Sequence, residues 1–254
     1  MIRMLLSERD QVVHASRERA EEPMSDLKRL LLDLFFPPRC QGCGRSGTSL
    51  CPDCKAKLPV IPYPRCARCS RHTGGVQICA HCYRHSGEGL HLDAILANYY
   101  FEGTLREMVH KLKYRGARGL AEPLAFLLYE HLKAGSGEAE VIMPVPLHPT
   151  RLRERGYNQS ALLARELGKL VGAPVVENAV ERVRDTRAQM GLPAAERLEN
   201  VRGAFVLTGQ GLGGRRVLLV DDVCTTGATL DACATALKAG KTAAVVGIVL
   251  ARAR

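Results

Sequence analysis

Apolar positions along this chain recur with two spacings. Continuous apolar runs occur at 141–145, 217–220 and 243–250, and such runs mark strands buried on both faces, as in a parallel sheet. Stretches 93–101, 175–183 and 203–207 read as further strands. Between them, apolar residues at helical spacing predict helices over 104–113, 121–133, 160–171 and 230–238, with Pro123 tolerated in the first turn of the second. Strands alternating with helices predict an α/β fold, a parallel sheet with helices on both faces. Upstream, residues 25–36 form a short amphipathic helix pattern stopped by Pro37 and Pro38. Residues 1–24 are densely charged without sustained periodicity and are expected to form a mobile extension, with Met24 an alternative start.

Between the first helix and the first strand the pattern breaks into cysteines. Eight of the ten fall into four Cys-x-x-Cys knuckles: Cys40/Cys43, Cys51/Cys54, Cys66/Cys69 and Cys79/Cys82. Two thiolates in a knuckle reach one ion, and two knuckles complete the tetrahedral set zinc prefers. Eight ligands therefore predict two structural zinc ions. Consecutive knuckles are favoured as partners, because seven and nine residues separate them; crossed pairing of alternate knuckles is the alternative. His72, His81 and His85 lie nearby, but the cysteines already fill two sites. The domain boundaries are set at 25–85 for the helix and cysteine module, and at 90–254 for the α/β domain.

The richest stretch for chemistry is Arg216 to Thr229, Arg-Val-Leu-Leu-Val-Asp-Asp-Val-Cys-Thr-Thr-Gly-Ala-Thr. Asp221 and Asp222 follow a buried strand at its carboxyl end, where open α/β sheets bind ligands. Thr225, Thr226, Gly227, Ala228 and Thr229 then lead into a helix whose amino terminus favours an anion. Carboxylates suit ribose hydroxyls and the turn suits a phosphate. After residues 141–145, Pro146-Leu147-His148-Pro149 and then Arg151, Arg153 and Arg155 form a second, guanidinium-rich loop before Gly156-Tyr157-Asn158-Gln159. Guanidinium forks suit phosphate oxygens. Lys111, Lys113 and Arg115 are further candidates for an anion contact. The polar stretch 184–202 is a candidate lid. Cys224 and Cys233 read as core.

Composition narrows the class. No window reaches the roughly 18 uninterrupted apolar residues of a membrane span, so membrane insertion is not expected, and the charged amino-terminal stretch gives cytoplasmic residence as the expectation. A net charge of +10 favours anionic partners, whether a sugar phosphate, a pyrophosphate or nucleic acid.

The 216–229 segment resembles the signature of type I phosphoribosyltransferases. The cysteine knuckles, Pro144-Val145-Pro146-Leu147-His148, Arg155-Gly156-Tyr157-Asn158-Gln159, and Arg184-x-Thr186-x-x-Gln189 with Arg197, Asn200 and Gly203-Ala204-Phe205 extend the resemblance to the ComF family over residues 25–254. That family joins a zinc module to a phosphoribosyltransferase-like domain and is associated with DNA uptake in competence. The resemblance implies a type I phosphoribosyltransferase-like parallel sheet with an amino-terminal double zinc ribbon. It makes Asp221 and Asp222 ribose ligands, residues 225–229 the 5-phosphate cradle, and the Arg151/Arg153/Arg155 loop a neighbour of the pyrophosphate. Phosphoribosyl pyrophosphate with magnesium is the implied ligand, and phosphoribosyl transfer the implied reaction, its acceptor unspecified. The alternative is a non-catalytic adaptor that keeps the fold and contacts single-stranded DNA or competence proteins.

Overall fold

Strand β5 (Arg216–Cys224) is the axis of the protein. In the computed structural model, which describes residues 37–84, 91–133, 139–185, 200–208 and 212–254, it pairs in parallel with β6 (Ala244–Arg252) on one side and β2 (Val141–Pro144) on the other. Strand β1 (Ala94–Tyr100) pairs in parallel with the far edge of β6, giving the order β1-β6-β5-β2. The predicted extension 1–24, the helix 25–36, His85 and most of the candidate lid, 186–199, lie outside the described residues.

Alternation along β5 assigns its side chains to two cores. Leu218 and Val220 pack with helices α3 (Gly103–Tyr114), α4 (Ala121–Lys133) and α6 (Gln159–Val171). Val217 and Leu219 pack with α7 (Ala228–Ala239) and with the antiparallel pair β3 (Val180–Arg182) and β4 (Phe205–Leu207). Helices thus cover both faces, and the uninterrupted apolar run needs no polar face. Gly247 lets α7 approach closely, since a Cβ there would lie 3.1 Å from Leu230 Cδ1.

Two expectations are corrected. The stretch 175–183 is not one strand: residues 174–176 pair with Ile142 at the edge of the sheet, and Val180–Arg182 alone forms β3. The Arg-rich stretch after β2 is not a loop but helix α5 (Pro149–Arg155). His148 caps it by accepting from Thr150 N at 3.3 Å, Pro149 occupies the first turn, and Gly156 ends it at φ 77°.

The cysteine module joins residues 39–254 in one compact unit. Its two halves repeat the same backbone bonds. Cys40 N donates to Arg45 O and Cys66 N to Arg71 O, at 2.8 and 2.7 Å, and Gly44 N donates to Cys40 O as Ser70 N does to Cys66 O, at 2.8 and 2.9 Å. Each ends in a one-turn helix, α1 (Pro52–Ala56) and α2 (Ala80–Arg84). The first half packs on α3 and α4: Lys111 Nζ donates to Gln41 Oε1 at 2.6 Å and Lys55 pairs with Glu130 at 2.6 Å. The second half closes the outer edge of β1, where Ile95 N donates to Arg68 O at 2.8 Å, and Ser70 Oγ donates to Ile95 O at 2.8 Å while accepting from Ala97 N at 3.2 Å. Covering an edge strand in this way satisfies backbone groups that would otherwise template aggregation.

Ser70 holds a left-handed φ of 59°, where Gly44 stands in the first half at 75°. The hydroxyl explains the departure from glycine, since its two bonds into β1 offset the strain. Ser70→Ala, which keeps the strain and removes both bonds, is expected to lower unfolding free energy by about 1–3 kcal/mol in urea denaturation; an unchanged midpoint would show that the hydroxyl contributes nothing.

Candidate functional site

The knuckles assemble consecutively. Cys40, Cys43, Cys51 and Cys54 form one cluster, and Cys66, Cys69, Cys79 and Cys82 the other, their ligand atoms all within 4.8 Å of one another. Cys43 Sγ and Cys51 Sγ lie 3.7 Å apart, as do Cys69 Sγ and Cys79 Sγ. A tetrahedral zinc with bonds near 2.3 Å has a sulfur–sulfur edge of about 3.8 Å, so both clusters fit the ion. Burial raises the Cys40 thiol, but amide donors from Cys51, Cys43 and Gly42 outweigh it and bring the group down to about 6. Cys66, which receives the amide of Cys79, comes to about 7 on the same balance. Four cysteines leave no open coordination position, so these centres are structural. His72 faces Pro62 O at 3.2 Å rather than either cluster.

The acid pair lies within β5 rather than after it, because β5 continues to Cys224 alongside β6. Adjacent residues of a strand face opposite ways. Asp222, 3% exposed, meets Lys113 of α3, whose Nζ lies 2.5 Å from Oδ2. Burial opposes charge on Lys113, yet the two carboxylates raise it, so it is an ammonium. Asp221 Oδ1 accepts from Ser160 Oγ at 2.9 Å and from the Asp222 amide at 2.9 Å. Burial and the Asp222 charge push the Asp221 carboxyl up to about 7, against the pull of Lys113, the Asp222 amide and Ser160. Arg182 on β3 is close enough to feel the Asp221 charge. Ser160 is held at the start of α6 by Asn158, which accepts from Ser160 N at 3.0 Å and donates to Val145 O at 3.0 Å.

The turn follows directly. Gly227 adopts φ 94° and caps α7, and Thr226 Oγ1 accepts from Ala228 N at 3.3 Å. Ala228 and Thr229 therefore belong to the first helical turn. The predicted arginines separate. Arg151 pairs with Glu154 at 3.1 Å and reaches Asp185 at 3.8 Å, Arg153 donates to Thr150 Oγ1 at 3.4 Å, and Arg155 donates to Gln159 and stacks on Tyr114 at 5.3 Å. Arg155 and Gln159 thus lead from α5 back to Ser160 and the acid pair, while Arg151 and Arg153 lie on the exposed part of α5 near the start of the candidate lid. Cys224 and Cys233 are buried, and burial pushes the Cys224 thiol up to about 11, which fits core residues and not nucleophiles. Lys113's specific carboxylate, Ser160's hydroxyl and Arg182 went unassigned in the sequence; the Asn158-Gln159-Ser160 cap at a helix start was the signal available for Ser160.

Two outcomes follow. Zinc removal by chelation is expected to unfold residues 40–82 and release the covered edge of β1, seen as protease cleavage and lost amide protection; unchanged protection would show that zinc does not hold the module. Folding raises Asp221 from 3.8 to about 7. Its contribution is full below 3.8 and is lost as pH rises through about 7. Asp221→Asn, which does not titrate, is therefore expected to gain about 1–2 kcal/mol on the unmutated protein between pH 5.5 and 8 in denaturant titrations. Parallel pH profiles would show that the carboxyl is not desolvated.

Several known proteins resemble this chain. The family described as "Double zinc ribbon domain" matches residues 31–83. Competence protein F of Haemophilus influenzae is 32% identical over 209 residues, 78% of this chain and 89% of that protein. The DNA utilization protein YhgH of Escherichia coli K12 is 31% identical over 211 residues, 81% and 85% of the two chains, and competence protein ComFC of Bacillus subtilis is 27% identical over 208 residues, 80% and 84%. The purine phosphoribosyltransferase of Pyrococcus horikoshii Ot3 superposes with a TM-score of 0.32 at 20% identity, over 51% of this chain and 70% of that one. Identity of 32% spread over 89% of competence protein F shows that the chain belongs to the ComF family.

Proposed function

We propose that Asp221, Asp222 and the turn 225–229 bind phosphoribosyl pyrophosphate or a related sugar phosphate together with magnesium. The observation that carries this reading is the succession, on one central parallel strand, of two adjacent desolvated carboxylates and a helix-starting turn. Ribose hydroxyls donate to the carboxylates, and the turn amides and the α7 dipole receive the 5-phosphate. The charge balance fits a hard divalent cation. The raised Asp221 carboxyl marks negative charge that Lys113 does not fully offset, and oxygen donors of this kind suit magnesium. The bound ion would neutralise the pyrophosphate. Lys113 meets Asp222, and Arg155 bonds Gln159 beside the Ser160 that holds Asp221, so both cations can share that charge.

In a transfer reaction, pyrophosphate would leave the anomeric carbon through an oxocarbenium-like transition state, its developing charge met by the neighbouring cations. The names of the relatives, a competence protein and a DNA utilization protein, support a role in DNA uptake and do not bear on the ligand. Titration calorimetry of the zinc-loaded protein with phosphoribosyl pyrophosphate is expected to show magnesium-dependent binding that Asp221→Asn/Asp222→Asn abolishes. No binding by the unmutated protein would overturn the reading.

A second reading, contact with single-stranded DNA, is favoured by one feature. Arg106, Lys111 and Arg115, together with Gly103, Glu107 and His110, line a cavity of about 420 Å³ along α3. Beside it Tyr114, 56% exposed, is flanked by His110 and Arg155. Cations around an exposed ring suit an unpaired base and its phosphates. Affinity for an oligodeoxynucleotide is expected to fall steeply with salt and to drop further in Tyr114→Ala; absence of binding at low salt would remove this reading.

A further inference from the structure

Arg252, the last residue of β6, is 1% exposed and is the bulkiest of the fully buried side chains among the described residues. One arm of its guanidinium, Nη1, donates to the carbonyl of Cys69 at 2.5 Å. The other, Nη2, donates to the carbonyl of Thr225 at 3.1 Å. Cys69 belongs to the second four-cysteine cluster, and Thr225 opens the turn at the end of β5. The backbone fixes the position of the fork: Arg252 is in register with Cys224 on one side and with Tyr100 on the other, and its carbonyl accepts from Phe101 N at 2.9 Å.

A buried guanidinium requires a counter-charge. Among the described residues, no carboxylate forms an ion pair with Arg252, and its Nε has no hydrogen-bond partner. Four thiolates around one Zn²⁺ carry a net charge of about −2, and this centre adjoins the fork. Without the ion, the loop that aims the Cys69 carbonyl at Arg252 loses its metal anchor. One guanidinium holds both carbonyls, so a loosened Cys69 loop frees one arm of the fork and weakens the hold of the other on Thr225.

We propose that Arg252 is a positioning residue through which occupancy of the second zinc site sets the conformation of the 225–229 turn and hence its affinity for a phosphate-bearing ligand. The ligand part rests on the reading of that turn given above; the zinc-to-turn coupling does not. The second ribbon thereby takes part in ligand binding without touching the ligand.

The test uses the zinc-loaded full chain and Arg252→Met, which replaces the apolar stem of the arginine but has no charge or donors. The variant is expected to retain two zinc ions, to exchange amide protons of residues 224–229 roughly tenfold faster while 217–220 stay protected, and to bind phosphoribosyl pyrophosphate with magnesium roughly tenfold more weakly, as loss of a charge-assisted bond implies. Chelation of the unmutated protein should speed exchange at 224–229 to the same degree, and chelation of the variant should add nothing further there. A purely structural role would leave that zinc dependence intact. Arg252→Lys, with the charge but a single head, is expected to fall between the two and carries the same readouts if the methionine variant does not fold. Exchange at 224–229 within twofold of the unmutated protein in a zinc-loaded variant would overturn the coupling. Failure of the unmutated protein to bind the sugar phosphate would overturn the ligand reading alone, since the exchange measurement decides the coupling separately.

Discussion

Desolvation of two neighbouring carboxylates is the constraint around which this protein is organised. β5 is buried by β6, by β2 and by helices on both faces, and it carries Asp221 and Asp222 to its end without leaving the sheet. Isolated, two such charges would cost several kcal/mol each. The surrounding elements supply the compensation: an ammonium from α3 for Asp222, and a hydroxyl and a backbone amide for Asp221. What remains uncompensated appears as a carboxyl titrating near neutrality. A site in this state is ready for a cation and for hydroxyl donors, and it is unsuited to a simple anion at the same atoms.

The two ribbons differ in what they hold, although they repeat each other bond for bond. The first holds α3 through Gln41 and Lys111, two residues from the lysine that meets Asp222. The second holds the edge of β1 and the Arg252 fork. The acid pair and the turn are thus braced from different sides by different metal centres. A small four-stranded sheet with a short β2 gains rigidity at its outer strand that its own core does not provide.

Much of this was legible in the chain because it is local. Thiolate spacing predicts the metal clusters, uninterrupted apolar runs predict β2, β5 and β6, and helical periodicity predicts α3, α4, α6 and α7 to within about two residues. The acid pair and its turn are contiguous, so their order alone carries chemical meaning. Helix α5 escaped because it is polar on nearly every side and lacks the apolar stripe that periodicity detects; Pro149 and Gly156 were its boundary marks. Stretch 175–183 misled because its apolar residues serve two partners, β2 and β4, in succession. The partners of Lys113 and Arg252 were out of reach for another reason. They depend on sheet register and helix packing, with Arg252 and Cys69 183 positions apart and Arg252 and Thr225 27 apart, which no local pattern encodes.

The central place of β6 also constrains how the molecule folds. It is the last strand in chain order, yet it lies between β1 and β5, pairing Ala94 with Val246 and Val217 with Val245. Each ribbon can close on its metal from a few dozen residues, but β1 has no sheet to join until β6 arrives. Loops of such length make sheet formation slow relative to local closure. Closure of the metal clusters is therefore expected to precede assembly of the acid site, leaving the inner edge of β1 unpaired in the interval. That strand, already shielded by the ribbon on its other side, is the segment a chaperone has most reason to cover.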